Sequence, residues 1–203
     1  MLIECKGKRI ITDPGNYTIE AQAKLKNIDY VFFTHEHADH FHIDSLKVIL
    51  TNNPKVVVYA NSSVSDLLSK ENISHNLVKD GDVVDLEGLT VAGIGTKHAQ
   101  MHRSIPQSAN IGFFFDNRFW YPGDSFTNPN KKVEILALPV SGPWMKLGEA
   151  IDFALEIKPK FAFPVHDGTR FGSAHIIPKK ILSEQGIDFV VMVEGDERDW
   201  GGV

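Results

Sequence analysis

Residues 29–40 read DYVFFTHEHADH, and this stretch carries the strongest structural signal in the chain. It begins with a short apolar and aromatic run of the kind found in buried strands. A polar segment, THEHADH, follows at once and carries three histidines and an aspartate. Side chains two residues apart in an extended segment lie on one face, so His35 and His37 can hold one metal ion. After a turn, Asp39 and His40 can face a second ion, and the pattern predicts a metal centre at a strand end.

A segment this short cannot supply every ligand of two metal ions, so further ligands are expected at other strand ends. His98, Asp124 and His166 each follow an apolar run, in the loops where α/β proteins place their chemistry. Imidazole and carboxylate ligands suit zinc, with manganese or iron as alternatives. Cys5 is the only cysteine, which excludes a cysteine-rich structural site and an intramolecular disulfide.

The rest of the chain alternates between strand and helix patterns. Strands are predicted over residues 2–5, 9–12, 29–34, 55–60, 82–85, 89–95, 111–115, 118–121, 133–139, 161–165 and 189–193. Helices are predicted over residues 18–26, 44–50, 62–70, 146–157 and 178–185, with Asp44 as the cap of the second. Hairpins followed by strand–helix alternation favour a layered α/β fold, formed by a single domain over residues 1–203.

Composition narrows the classes of partner. The chain has 203 residues, of which 42% are hydrophobic and 23% charged, as in an average soluble domain. Its formal net charge of −5 gives no bulk attraction to nucleic acid or anionic lipid. No run approaches the roughly 18–20 apolar residues of a membrane span, and the first residues lack a secretory pattern. We expect a cytoplasmic protein with a small-molecule substrate and no membrane or nucleic-acid partner; a homo-oligomer stays open.

These motifs resemble those of a known family. HEHADH at residues 35–40 matches the HxHxDH motif of the metallo-β-lactamase superfamily, and the later His98, Asp124 and His166 match its remaining ligands in order. The segment KGKRIITDPG at residues 6–15 resembles the opening of small, stand-alone, lactonase-like hydrolases of that superfamily. The resemblance implies a four-layer αβ/βα sandwich, in which two mixed sheets pack face to face with helices outside.

The resemblance also implies two divalent metal ions and their ligands. One ion would be held by His35, His37 and His98, and the other by Asp39, His40 and His166. Asp124 would bridge the two ions, and Asp13 would orient a motif histidine from behind.

One ligand has two candidates. The segment KHAQMH at residues 97–102 offers both His98 and His102 as the third histidine of the first ion. His98 is preferred because it lies nearer the end of the preceding strand. His102 would then line the pocket.

The expected chemistry is hydrolysis. Two ions about 3.5–4 Å apart can share and activate a water, and can polarise the oxygen of a small ester, lactone or phosphoester. Asp39 or Asp124 would orient the water and pass a proton to the leaving group. Arg170 is a candidate clamp for a substrate carboxylate or phosphate, with a solvated charge as the alternative. Trp144 is a candidate apolar wall of the pocket, with a core position as the alternative.

Two other functions stay open. A phosphodiesterase or nuclease of the ribonuclease Z type would use the same ligands, but the acidic balance and the lack of an obvious RNA-gripping arm argue against it. A metal-binding sensor without turnover would also need the same residues. A redox di-iron role is disfavoured, because His37 stands where the flavodiiron branch carries a carboxylate.

Overall fold

The computed structural model describes residues 1–168 and 173–201. The strands are β1 (Leu2–Cys5), β2 (Lys8–Thr12), β3 (Tyr30–Phe33), β4 (Val57–Ala60), β5 (Asn76–Leu77), β6 (Val83–Asp85), β7 (Thr90–Ile94), β8 (Gly112–Phe115), β9 (Phe119–Tyr121), β10 (Ile135–Pro139), β11 (Phe161–Val165) and β12 (Asp188–Phe189). The helices are α1 (Ile19–Gln22), α2 (Ile43–Asn52), α3 (Ser62–Lys70), α4 (Leu147–Ile157) and α5 (Ser173–Glu184). Among these helices, none is long and apolar enough to cross a membrane.

The strands form two mixed sheets. The N-terminal sheet has the order β1-β2-β3-β4-β5, in which β1 and β2 are antiparallel and the remaining pairs are parallel. The C-terminal sheet has the order β12-β11-β10-β9-β8-β7-β6. It is parallel from β12 to β9 and antiparallel from β9 to β6. The parallel half of each sheet directs several strands toward one edge, where loops can carry a site.

Side-chain alternation along the strands builds the layers. Phe32 of β3 packs between the sheets, with its ring centroid 4.9 Å from that of Phe113 of β8. Its neighbour Phe33 faces the other way, into a core cluster with Leu46 of α2. Phe114 likewise faces outward, into a cluster that includes Phe153 of α4. Each sheet is therefore buried on both faces, and the predicted α/β sandwich with helices outside is confirmed.

Some element boundaries differ from the prediction. α2 begins at Ile43 and its cap is His42, whose Nδ1 accepts from the Ser45 N–H at 3.3 Å, so the prediction of Asp44 as the cap was wrong. A ring nitrogen here takes the place of the side-chain oxygen that usually caps a helix. α1 is shorter than predicted, β12 ends at Phe189, and the two-residue strand β5 was missed. α5 extends from Ser173, with Pro178 inside it rather than at its start.

Candidate metal centre

The predicted ligands all lie in loops that directly follow strands. The motif follows β3, His98 follows β7, Asp124 follows β9 and His166 follows β11. These strands belong to both sheets, so the loops meet where the two layers share an edge. The fold therefore brings together residues that are up to 131 positions apart in the sequence, from His35 to His166.

Two groups of three ligands form in this way. In the first triad (His35, His37 and His98), one ligand atom from each residue lies within 4.8 Å of the others. The second triad (Asp39, His40 and His166) meets the same criterion. These are the two groups that the resemblance implies. Asp13, His35 and His40 also lie within this distance of one another.

Asp124 lies between the triads. Its Oδ2 is 3.3 Å from Nε2 of His98 and 3.2 Å from Nε2 of His166, while its Oδ1 is 3.2 Å from Nε2 of His40. A single carboxylate thus contacts histidines of both groups, which is the position that a bridging ligand requires. The peptide N–H of Asp124 donates to Oδ1 of Asn110 at 3.1 Å, so the backbone is held as well.

The hydrogen bonds behind the histidines determine which nitrogen is free to bind a metal. Thr34 donates its only hydroxyl proton to the carboxylate of Asp13 at 2.6 Å, because a carboxylate can only accept. The 3.0 Å contact between Thr34 Oγ1 and His35 Nδ1 must therefore be a hydrogen bond from Nδ1–H. The lone pair of His35 is then on Nε2, which faces Nδ1 of His37 at 3.1 Å.

The same reasoning applies to two further ligands. Nδ1 of His98 lies 2.6 Å from the carbonyl oxygen of Ala99, and Nδ1 of His166 lies 2.6 Å from that of Ser141. A carbonyl only accepts, so both Nδ1 atoms carry a proton and each Nε2 points into the site. Such hydrogen bonds orient the ligating ring and fix its tautomer.

His37 is turned the other way round. Its Nε2 lies 3.2 Å from Oγ of Ser108, which leaves Nδ1 for the site. Ser108 belongs to the segment of residues 107–110, which braces three ligands. Gln107 donates to the carbonyl of His98 at 2.6 Å, and Asn110 holds the backbone of Asp124.

Asp13 collects hydrogen bonds behind the second triad. It accepts from the N–H and hydroxyl of Thr34 at 2.7 and 2.6 Å, and from the hydroxyl of Tyr121 at 2.7 Å. Nδ1 of His40 lies 2.8 Å from the same carboxylate. Asp13 therefore makes the contact with a motif histidine that the resemblance implies.

The glycine of the DPG segment fits against the motif backbone. A Cβ at Gly15 would lie 1.8 Å from the carbonyl oxygen of Asp39, so no side chain is possible there without a shift of the backbone. The N–H of Asn16 donates to the carbonyl of Ala38 at 2.9 Å. This close approach explains why a glycine follows the proline at this point.

The two triads differ in their affinity for protons. Burial lowers the pKa of His35 and of His37, and nearby histidines lower it further. Burial also opposes the charged form of His40, but the carboxylates of Asp124 and Asp13 outweigh it and raise the pKa of His40 to about 10. The pKa of His166 is raised to about 11 by Asp124 and Asp39, again against burial. Burial and neighbouring histidines therefore favour the neutral forms of His35 and His37, whereas the carboxylates favour the protonated forms of His40 and His166.

Three buried polar atoms test whether a metal ion fits. Nε2 of His40, Nε2 of His98 and Oδ1 of Asp124 are buried and make no hydrogen bond within the described part of the chain. Buried polar atoms are seldom left unpaired, since each costs free energy unless it finds a partner. All three atoms can bind zinc, and the two imidazoles lie 3.2 and 3.3 Å from the two oxygens of the Asp124 carboxylate. The residues present thus fit divalent cations.

The residues predicted to contact the substrate differ from one another in their positions. His102 is exposed in the loop after His98, and its Nδ1 lies 2.7 Å from Oγ of Ser104. Trp144 is only 7% exposed, and its Nε1–H donates to Oδ2 of Asp124 at 2.8 Å. Arg170 lies outside the described residues.

Sequence reasoning missed the hydrogen bonds of Trp144 and of the segment 107–110 to the ligands. The spacing of residues along the chain does not predict these hydrogen bonds, because the partners come from separate loops. The segment does follow a candidate ligand and is rich in amide and hydroxyl side chains, which was the one available hint.

The chain is similar to known proteins over most of its length. A family model described as a beta-lactamase superfamily domain matches residues 1–166. Protein Rv0786c of Mycobacterium tuberculosis is 31% identical over 200 residues, covering 96% of this chain and 92% of the relative. A UPF0173 metal-dependent hydrolase of Nanoarchaeum equitans is 25% identical over 216 residues, covering 98% and 94% of the two chains.

The fold itself is shared with solved structures. A metallo hydrolase from the archaeon Ignicoccus hospitalis superposes with a TM-score of 0.75 at 19% identity, covering 96% of this chain and 91% of that chain. The family match extends over most of the chain and includes every predicted ligand. The chain therefore belongs to the metallo-β-lactamase superfamily.

Proposed function

We propose that this protein is a metal-dependent hydrolase that uses two divalent ions, zinc foremost, to activate water against a small ester, lactone or phosphoester. The observation that carries the proposal is the Asp124 carboxylate, which contacts histidines of both triads while its Oδ1 has no hydrogen-bond partner among the described residues. The name of the Nanoarchaeum equitans relative, a metal-dependent hydrolase, supports it.

Each triad would bind one of the two ions. The first triad offers three imidazoles, and the second offers two imidazoles and the Asp39 carboxylate. Two bound ions would lower the pKa of a water and polarise the carbonyl or phosphoryl oxygen of the substrate. The chain then needs no serine nucleophile, only ligands and an open face.

The two aspartates differ in access to that open face. The side chain of Asp39 is 27% exposed, whereas that of Asp124 is 4% exposed. Oδ2 of Asp39 lies 3.2 Å from Nε2 of His166, which fixes the carboxylate at the edge of the site. We assign the transfer of a proton from the attacking water to the leaving group to Asp39, and the holding of both metal ions to Asp124.

Metal removal tests the proposal. The purified protein is analysed for bound metal, stripped with a chelator, and reloaded with zinc, manganese or iron. Activity is followed on an aryl ester, an aliphatic lactone and a chromogenic phosphodiester. We expect two ions per chain, loss of turnover on stripping and its return on reloading. Unchanged turnover in a verified metal-free sample contradicts the proposal, and a loaded protein that turns over no substrate favours the sensor.

A pair of variants adds a matched control. Asp124→Asn should lose most of the turnover, because the amide presents a donor where both triads need a carboxylate. His75→Ala removes an imidazole that contacts only Ser65 and the carbonyl of Ile73 among the described residues, and should leave turnover unchanged. Equal losses in the two variants would indicate damage to the fold instead of to the site.

A further inference from the structure

Trp144 makes a buried hydrogen bond to the carboxylate between the triads. Its Nε1–H donates to Oδ2 of Asp124 at 2.8 Å, and the residue is 7% exposed. Tryptophan Nε1 is a donor only, so it cannot act as a base or bind a cation there. Its one polar atom is used entirely on Asp124.

The indole also spans the gap between the two triads. Its ring centroid lies 5.6 Å from that of His98, in the first triad, and 6.0 Å from that of His166, in the second. Phe126 packs against it at 5.3 Å. The ring is therefore held on several sides, and its N–H has little freedom to turn away from Asp124.

The loop before the indole is shaped around it. A Cβ at Gly142 would lie 2.7 Å from Nε1 of Trp144, so the backbone approaches the N–H closely. The preceding carbonyl, of Ser141, accepts from Nδ1 of His166 at 2.6 Å. The segment 141–144 thus orients both a ligand of the second triad and the carboxylate between the triads.

We infer that Trp144 is a positioning residue, whose N–H fixes the rotation of the Asp124 carboxylate so that Oδ2 faces His98 and His166 while Oδ1 faces His40. This inference rests on the proposed pair of metal ions. Without the N–H, the carboxylate can rotate and no longer contacts both triads at once. Loss of such an outer hydrogen bond lowers metal affinity by about 10–100-fold in other sites.

The test is a cobalt titration of Trp144→Phe, which removes the N–H and keeps an aromatic ring. Trp120→Phe is the matched control, because Trp120 is also buried and its Nε1 makes no hydrogen bond to any residue that the structure describes. Cobalt binding is followed by visible absorption, which reports ligand geometry, with a competing chelator to measure each affinity. We expect the second cobalt ion to bind about 10–100-fold more weakly in Trp144→Phe, with an altered spectrum, and normally in Trp120→Phe.

Each other outcome has a distinct meaning. Wild-type affinities and spectra in Trp144→Phe overturn the inference, as does an equal loss in both variants. A wild-type protein that binds fewer than two cobalt ions overturns the proposed function, and the inference with it.

A measurement on the wild-type protein decides the matter if Trp144→Phe does not fold. The chain has three tryptophans, so the indole N–H signal that remains in both Trp120→Phe and Trp200→Phe belongs to Trp144. In ¹H–¹⁵N spectra of the wild type, this signal should exchange slowly and shift when zinc is added. A signal that does not move through two equivalents of zinc overturns the inference.

Discussion

The two triads lie at the same edge of the sandwich, but they differ in burial and in their hydrogen-bond partners. In the first, His35 and His98 are fully buried, and the hydrogen bonds behind its rings go to neutral hydroxyl and carbonyl groups. In the second, the side chains of Asp39 and His166 are 27% and 19% exposed. That triad contains one carboxylate and has another, from Asp13, behind His40.

The difference shows how one fold gives two neighbouring groups of candidate ligands different environments. Burial lowers the pKa of His35 and His37 and so favours their neutral forms, which are the forms that bind a cation. Carboxylates raise the pKa of the histidines in the second triad, so a cation there competes with protons. The second triad also lies nearer the solvent, which makes it the side from which a substrate would approach.

The largest expected effect is the loss of a ligand from the first triad. His98→Ala should weaken binding of the first ion by more than about 100-fold, since losing a ligand costs more than losing an outer partner. His102→Ala changes an exposed histidine of the same loop and should keep the full metal content. Metal analysis after gel filtration separates the two. Loss of metal in His102→Ala but not in His98→Ala would exchange their roles.

The second prediction concerns the carboxylate behind the second triad. Asp13→Asn should weaken binding of the second ion by about 10–100-fold, because an amide cannot accept hydrogen bonds from His40, Thr34 and Tyr121 together. Thr34→Ser keeps the hydroxyl that donates to Asp13 and should bind metal normally. Competition titration with a chromogenic chelator measures both. Weaker binding of the first ion alone would contradict the assignment of Asp13 to the second triad.

The third prediction concerns the backbone contact behind Asp39. Gly15→Ala should lower the free energy of unfolding by about 1–3 kcal/mol or more, because the added methyl group meets the Asp39 carbonyl. Gly148→Ala is the control, since its Cβ would meet no atom within 4 Å and it lies in α4. There a gain of up to about 1 kcal/mol is expected. Urea unfolding measures both, and an unchanged midpoint in Gly15→Ala would contradict the close approach.

The smallest effect is the pH dependence of the metal-free protein. The pKa values of His40 and His166 are raised to about 10 and about 11, so their contribution to stability is complete below pH about 6.5 and is lost as the pH rises through those values. The pKa of Asp39 is lowered to about 2, mainly by the hydrogen bond from His166, so its contribution is present above pH about 3.9 and lost as the pH falls toward 2.

Thermal unfolding between pH 6.5 and pH 10 tests whether the stability of the metal-free protein falls as the pH rises. The melting temperature of the metal-free protein should fall over that range, while the zinc-loaded protein should change less, because a nitrogen bound to zinc carries no proton. A metal-free protein that becomes more stable as the pH rises would contradict the protonated state of the second triad.

Much of the fold and of the ligand set could be predicted from local pattern. The DYVFF run and the HEHADH motif carry their strand and their ligands within twelve residues, so periodicity and residue chemistry suffice. The ends of α1, α5 and β12 were predicted less well, because packing against neighbouring elements decides where such short elements stop. The cap of α2 was missed since histidine seldom takes that role.

The chemical types of the predicted ligands, their order along the chain and the alternation that buries both sheets follow from the sequence. Packing of the layers determines that Ser108 lies behind His37 and Trp144 behind Asp124, and that His40 is the motif histidine in contact with Asp13. The physical reason is distance along the chain. Local spacing specifies which side chains share a face, whereas a hydrogen bond between residues 71 or 20 positions apart exists only once the layers have packed.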